Sequence, residues 1–340
     1  MKRYVINKLL ITIMIMNIAL FTMINYSVEA TNTNSVEELA QMKLEEDEVI
    51  LRYDAKTGQT TEVSLEVLKK NINEKYRMGI VEINTIPAFE GDDTEVNIIR
   101  INNDTGEIQS NNEVQSISEG IYYSVGDTSG YTNRAICRVR AFDSNGNQKI
   151  GSAYLAGPNL LVTAAHCLMD NNHAQYSEWT ASPGYYPDME DPEYGYCYGG
   201  SCSYESFYYL ADWQEPGNDW AICVLEEDLG NMVNAWLGTQ SYGTSQEMSG
   251  MAVKAFGYPI VPGNAIRQMY TEGTLFNVSA TRFDTSALIS EGMSGGPIVR
   301  ASDDFVVGIC KGYWTNNPDT GVGVRITQTI INTLLDLWPE

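Results

Sequence analysis

Leu161-Val-Thr-Ala-Ala-His-Cys167 is a short apolar strand that runs straight into an imidazole. Two further stretches belong with it. In Asn218-Asp-Trp-Ala-Ile-Cys-Val-Leu225 an aspartate opens a strand that is apolar on both faces, and in Glu291-Gly-Met-Ser-Gly-Gly-Pro297 a serine sits among glycines. Singly, each has an ordinary structural use. A glycine-flanked serine makes a turn, an aspartate ahead of a strand caps it, and a solitary histidine fills a niche. Together they supply a nucleophile, a general base and a carboxylate to orient that base.

The surrounding sequence is one of short strands. Residues 134–142, 151–156, 160–164, 220–225, 252–258, 273–279, 297–299, 306–310 and 321–326 are rich in Val, Ile and Tyr between Gly, Pro and Asn breaks. That pattern predicts an all-β barrel or sandwich. Residues 327–337 carry Ile330, Ile331, Leu334, Leu335 and Leu337, which predicts a terminal amphipathic helix.

Composition bounds the rest. The chain has 340 residues, enough for about two domains of ~150 residues each, and its 43% apolar residues, 29 Gly and 21 Tyr are those of a globular protein. Acidic residues number 44 against 21 basic, a net charge of −23. This argues against nucleic acid as a partner, because phosphate recognition needs clustered Lys and Arg. Only two histidines exist, His166 and His173, with no C-x-x-C and no H-E-x-x-H. A zinc enzyme built on several imidazoles or on paired thiolates does not fit these residues, and neither metal nor cofactor is expected.

The N-terminus reads as an export signal. Lys2, Arg3 and Lys8 precede an apolar run over 9–23, and Val28-Glu-Ala30 offers small residues at a cleavage site after Ala30. The run is shorter than the ~20 residues a membrane span requires, so the expectation is a secreted protein with residues 1–30 removed and no membrane association afterwards. The six cysteines, Cys137, Cys167, Cys197, Cys202, Cys223 and Cys310, all lie in the later part of the chain. An even number fits an exported domain with some disulfides. Cys197 and Cys202, flanking Tyr-Gly-Gly-Ser, are the easiest local pair. Residues 31–115 hold no Cys, Trp or His. Residues 37–48 and 63–74 space their charges as helices do, and 97–112 is polar, Asn-rich and turn-prone.

The three chemical segments, in the order His166, Asp219, Ser294, resemble the chymotrypsin-like (trypsin-like) serine peptidases, in their bacterial, glutamyl-endopeptidase-like branch. Thr163-Ala-Ala-His-Cys167 and Gly292-Met-Ser-Gly-Gly-Pro297 carry the likeness, with Arg134-Ala-Ile136, Gly157-Pro158, Ser182-Pro-Gly184, Gly257-Tyr-Pro259 and Arg325-Ile-Thr327 as further landmarks in order. The likeness covers 116–338. It implies two six-stranded antiparallel β-barrels with a C-terminal helix and an active site between the barrels. The first barrel would carry His166 and Asp219, the second Ser294. The implied activity is peptide-bond hydrolysis by a monomeric serine endopeptidase acting on protein or peptide substrates.

In that chemistry His166 takes the proton of Ser294 during attack, and Asp219 fixes the imidazole tautomer. Asp219 is preferred over Asp212 and Asp228 because the strand behind it can bury a carboxylate against the ring. His173 lies in the polar loop Met169-Asp-Asn-Asn-His and is given a surface role. The backbone N–H groups of Gly292 and Ser294 are the expected oxyanion hole, with glycine there to leave the substrate room.

Two departures from the family pattern bear on activation and specificity. Met293 stands where the animal digestive enzymes carry an Asp that pairs with the new N-terminus, so residues 31–115 read, by position, as a propeptide ahead of the 116–340 protease domain. No Lys or Arg occurs over 101–133. Cleavage near Gln115 to Glu119 would therefore follow Glu113 or Glu119, or be autocatalytic; a stable N-terminal domain is the other reading. Glutamyl endopeptidases hold the substrate carboxylate with a His and a Thr, and those positions here are Cys310 and Ile289, beside Leu288. An anionic side chain would lose ~1–3 kcal/mol or more in hydrogen bonds there. The expected preference is an uncharged, apolar or aromatic residue on the acyl side, unless Lys311 turns inward and rescues acidic recognition.

The acidic, Tyr-rich loop 185–209 offers Asp188, Glu190, Asp191 and Glu193 to a hard cation, but interrupting prolines favour a solvated, disulfide-pinned surface insertion. Two other functions compete: a catalytically silent binding or adhesion module, and an esterase with the same triad. The intact triad speaks against the first. The absence of a G-x-S-x-G elbow and the His-first order speak against the second.

Overall fold

Strand β1 (Ile50–Asp54) is the first element of a computed structural model that describes residues 48–64, 66–68, 70–72, 85–90, 98–102, 108–109, 122–125, 127–191, 194–261 and 265–339. Beyond the short strand Gln59–Glu62 at its edge, six more strands follow it in the first sheet: β2 (Ile136–Phe142), β3 (Gln148–Leu155), β4 (Leu160–Thr163), β5 (Ser177–Pro183), β6 (Tyr204–Leu210) and β7 (Ala221–Leu225). Their order is β5-β2-β3-β4-β7-β6-β1, all antiparallel. The apolar run of β3 and β4 is buried on both faces, with Ala153, Tyr154, Leu155, Leu160, Leu161 and Val162 all inaccessible. A strand apolar throughout suits such a place.

The second set comprises β8 (Ala252–Gly257), β9 (Met269–Phe276), β10 (Arg282–Thr285), β11 (Pro297–Arg300), β12 (Val306–Trp314) and β13 (Asn317–Arg325). The order β11-β8-β9-β10-β13-β12 returns through an added β11–β12 pairing, so these six close into a barrel. Val253, Ala255, Leu275, Phe283, Ile298 and Val307 fill its core. Helix α1 (Gln328–Leu337) ends the fold; the Thr327 hydroxyl accepts the Ile330 N–H at its start, and Ile330, Ile331, Leu334 and Leu335 are buried.

The expected all-β architecture and terminal helix are present, with differences that have physical causes. Strands β5 and β10 lack a clean apolar alternation; tertiary pairing, not propensity, makes them strands. Within the loop expected at 185–209 lie strands Tyr194–Tyr198 and β6, and Tyr204, Phe207, Tyr209 and Leu210 are buried. Tyr on a half-buried pleated surface is a strand former, which outweighs the Gly and Asp between.

The N-terminal segment is woven into the same compact unit, Asp47–Glu340. β1 pairs with β6 from Ile50↔Leu210 to Asp54↔Ser206, and Gln59–Glu62 folds back on it. Thr85–Ile86 pairs with Thr239–Gln240, and Phe89–Glu90 with Ala235–Trp236, where Phe89 stacks on Trp236. The stretch 97–112, expected to be turns, contains strands Ile98–Asn102 and Ile108–Gln109, the first paired with Tyr194–Tyr198. Residues 66–68 and 70–72 are helical, in keeping with the spacing over 63–74. The leader, most of 37–48 and the cleavage region 113–119 lie outside the described residues. All six cysteines are buried and free, so Cys197 and Cys202 are not joined. Among the described residues no helix is long and apolar enough to cross a membrane.

Candidate active site

Adjacent antiparallel strands bring the first two groups together. β4 pairs with β7 in a register that sets Thr163 opposite Ala221, so the chain leaving β4 and the chain entering β7 lie side by side. His166 sits in the single 3-10 turn Ala165–Cys167 just past β4, and Asp219 just ahead of β7. His166 Nδ1 lies 2.7 Å from Asp219 Oδ2, and the His166 backbone N–H donates to Oδ1 at 3.1 Å. The Asp219 side chain is 3% exposed and that of His166 33%, so the ring is held on its buried edge and reaches solvent on the other.

The pairing sets the charges. Burial pushes the Asp219 carboxyl up, but the charge and hydrogen bond of His166, with Lys311 behind them, outweigh it and hold the group below its ordinary range. Burial likewise pushes the His166 imidazole down; Asp219, aided by the neighbouring Cys167 thiol, overrides this and holds it well above the ordinary histidine value.

Ser294 is held by the first sheet as much as by its own barrel. The Ser152 N–H of β3 donates to the Ser294 carbonyl at 2.8 Å, and Cys167 Sγ reaches the same oxygen at 3.3 Å. The Ser152 hydroxyl donates to the Gly292 carbonyl at 2.6 Å and accepts the Tyr258 N–H at 2.9 Å. Gly295 has φ +84°, and a Cβ there would fall 2.1 Å from Thr163 Oγ1. The serine turn is thus pressed against the strand that carries the histidine.

At Gly292 the reason for glycine differs from the expected one. Its φ is +87°, and a Cβ would lie 2.2 Å from the Tyr258 carbonyl oxygen. The protein's own backbone, before any substrate, excludes a side chain. Among the described residues, the N–H groups of Gly292 and Ser294 donate to no protein acceptor. An oxyanion site requires donors that are not already engaged by the protein.

The remaining expected residues divide. Ile289 and Cys310 are buried in the core cluster of the second barrel beside Met293, and Leu288 is half-buried with its carbonyl bonded to Thr271 Oγ1. Lys311 does turn inward, but to Asp219: its ammonium is 3.5 Å from Oδ2. The Ser294 hydroxyl donates to the Lys311 carbonyl at 3.3 Å. His173 packs against Tyr209 and Trp213 with Nε2 against Gln214. Asp188 caps its own loop, accepting the N–H groups of Glu190 and Asp191 and the Tyr196 hydroxyl; Glu193 lies outside the described residues. Ser152 and the Lys311–Asp219 contact have no motif of their own. Only the small-residue pair Gly151-Ser152 inside an apolar strand hinted at a close backbone approach.

Fold and site together set a bonded histidine–aspartate pair beside a serine turn that the first sheet helps to hold. Residues 151–309 match the family of the trypsin-like peptidase domain. A curated relative, the extracellular metalloprotease of Bacillus subtilis (strain 168), is 24% identical over 62% of this chain. The match covers 65% of that relative's length. A solved Glu endopeptidase in complex with MPD has a similar fold, with a TM-score of 0.52 at 17% identity over 65% of this chain and 97% of that one. The protease Anisep from Arthrobacter nicotinovorans is similar at 20% identity over 59% and 94% of the two chains, with a TM-score of 0.48.

Proposed function

We propose that this chain is a secreted serine endopeptidase, made as a zymogen, that hydrolyses peptide bonds through an acyl-enzyme on Ser294. The observation that carries the reading is the 2.7 Å contact of His166 Nδ1 with the buried Asp219, on a fold whose serine turn is bonded to the neighbouring strand β3. In the reaction Ser294 Oγ attacks the carbonyl carbon while His166 Nε2 takes its proton. Asp219 accepts from Nδ1–H and stabilises the imidazolium, and the N–H groups of Gly292 and Ser294 receive the oxyanion. The C–N bond breaks as the imidazolium returns its proton to the amine. Water then repeats the sequence and releases the acid. For attack, the Ser294 hydroxyl has to leave the Lys311 carbonyl for the imidazole.

Ile289 and Cys310 are closed into the core, so neither offers a hydrogen bond to a substrate carboxylate, which supports a residue that is uncharged on the acyl side. The Lys311 ammonium is engaged by Asp219, which weakens the case for acidic recognition. The B. subtilis relative is called a metalloprotease. Among the described residues no group of three or more His, Cys, Asp or Glu is placed to hold a metal ion.

The test is labelling with a fluorophosphonate followed by peptide mapping. Modification of Ser294 in the wild type and none in Ser294→Ala is expected. A wild type that binds peptides but takes no label would identify the silent binding module instead. N-terminal sequencing of culture-medium protein would locate both processing sites, with starts at residue 31 in the precursor and between 114 and 120 in the matured form.

A further inference from the structure

Asp219 Oδ2 has two partners that can carry positive charge: His166 Nδ1 at 2.7 Å and Lys311 Nζ at 3.5 Å. The Asp219 side chain is almost fully enclosed, whereas Lys311 keeps about a quarter of its side chain in solvent. A buried carboxylate requires a compensating charge. With histidine as its sole partner, that charge has to come from protonating the imidazole, which is the wrong state for a general base. A lysine against the same oxygen supplies the charge permanently and leaves the ring free to be neutral.

We infer that Lys311 is a positioning residue whose ammonium shares the Asp219 carboxylate with His166 and lowers the pH at which His166 becomes a free base. The inference rests on the triad reading. The charged and titratable groups around the pair are few. Asp219 and Cys167 face the imidazole, with Tyr176 within electrostatic reach, while His166 and Lys311 face Asp219. Asp219 and Cys167 favour the imidazolium, and Lys311 is the cation set against it. The same residue touches the nucleophile through its backbone, since its carbonyl accepts the Ser294 hydroxyl. Lys311 therefore contacts the orienter with its side chain and the resting nucleophile with its main chain.

The chain has only two histidines, so an NMR titration of the imidazole protons reads the effect directly, without requiring turnover. The titration is made on the full chain carrying Ser294→Ala to prevent self-digestion, with Lys311→Met, Lys311→Gln and Lys311→Arg added in turn. The His166 midpoint should rise by about one pH unit in Lys311→Met and Lys311→Gln and stay near its starting value in Lys311→Arg. The His173 signal serves as the internal check that each variant is folded. An unmoved His166 midpoint in whichever neutral variant folds overturns the inference, as does an equal shift in Lys311→Arg. Failure of the peptidase reading registers separately, as a wild type unreactive to fluorophosphonate. In the active enzyme the acid limb of kcat/KM should move by the same amount and in the same direction.

Discussion

Ser294 Oγ donates its hydrogen bond to the carbonyl oxygen of Lys311, 3.3 Å away, and among the described residues makes no hydrogen bond to His166. The Ser294 hydroxyl is therefore engaged by the strand that borders it. A hydroxyl that makes a single long bond contributes little to stability, ~0.5–1.5 kcal/mol at most. Ser294→Ala should keep its Tm to within a few degrees while turnover falls by about 10⁴ to 10⁶. Calorimetry and peptide hydrolysis check the two halves; a large drop in Tm would mean that the serine is structural.

Activity should rise with pH. The general base must be neutral, and Asp219 holds the His166 imidazole well above its ordinary 6.5, so kcat/KM should fall about tenfold per unit below a midpoint higher than 6.5. Stability runs differently. The raised histidine contributes fully below 6.5 and loses its contribution as pH climbs through the folded value. The depressed aspartate contributes fully above 3.8 and loses its share as pH falls through its folded value. The stability gap between wild type and His166→Ala should then be widest between about pH 4 and 6.5. Denaturant titrations across pH measure it, and a gap that widens with rising pH would contradict the pairing.

Gly292→Ala should inactivate without unfolding the protein. The added Cβ would lie 2.2 Å from the Tyr258 carbonyl at a φ of +87°, so the turn must move and carry the Gly292 and Ser294 N–H groups with it. Loss of an oxyanion donor typically costs 10²–10³ in kcat. Retained far-UV circular dichroism with a loss of at least that size is the expected result; near-normal kcat would show that the donors lie elsewhere.

The histidine, aspartate and serine segments were legible because their signals are local: a buried strand ending at His166, another starting at Asp219, a glycine turn around Ser294. Pairing of β4 with β7 does the rest. Contacts made through space were not legible. Ser152 looks like any small residue in a strand, yet it bonds both Gly292 and Tyr258. Lys311 follows an apolar strand like any surface lysine, and only the approach of the two lobes sets it beside Asp219. Residues 97–112 and 185–209 mislead for a related reason. Their Asn, Gly and Asp signal turns, whereas strands Ile98–Asn102 and Tyr194–Tyr198 exist because each supplies the other's hydrogen bonds.

Ser152→Ala tests whether the two lobes are coupled through that hydroxyl. Ser152 is fully buried, and alanine would leave the Gly292 carbonyl short of a donor and the Tyr258 N–H short of an acceptor. Unmet buried groups cost about 1–3 kcal/mol. A fall in Tm of several degrees should accompany a loss of kcat exceeding tenfold with KM little changed, since the loosened element is the nucleophile turn. Loss of stability alone would make Ser152 a packing residue.

The N-terminal hairpin supplies the last test. β6 is the outer strand of the first six, and β1 covers it over five paired residues. Ile50 is completely buried at the start of that pairing. Ile50→Ala should destabilise by about 2–5 kcal/mol, as for other buried aliphatic truncations. Removing residues 48–62 should do more than subtract that energy, because it bares the main chain of β6, whose buried side chains include Tyr204, Phe207, Tyr209 and Leu210. An uncovered apolar edge pairs with other chains. A chain shortened before folding should therefore aggregate when refolded and be rescued by adding a peptide of residues 48–62 in trans, whereas a segment cut during maturation would stay seated on β6. A soluble, monomeric and active shortened protein would instead mean that the hairpin rests on the sheet without holding it.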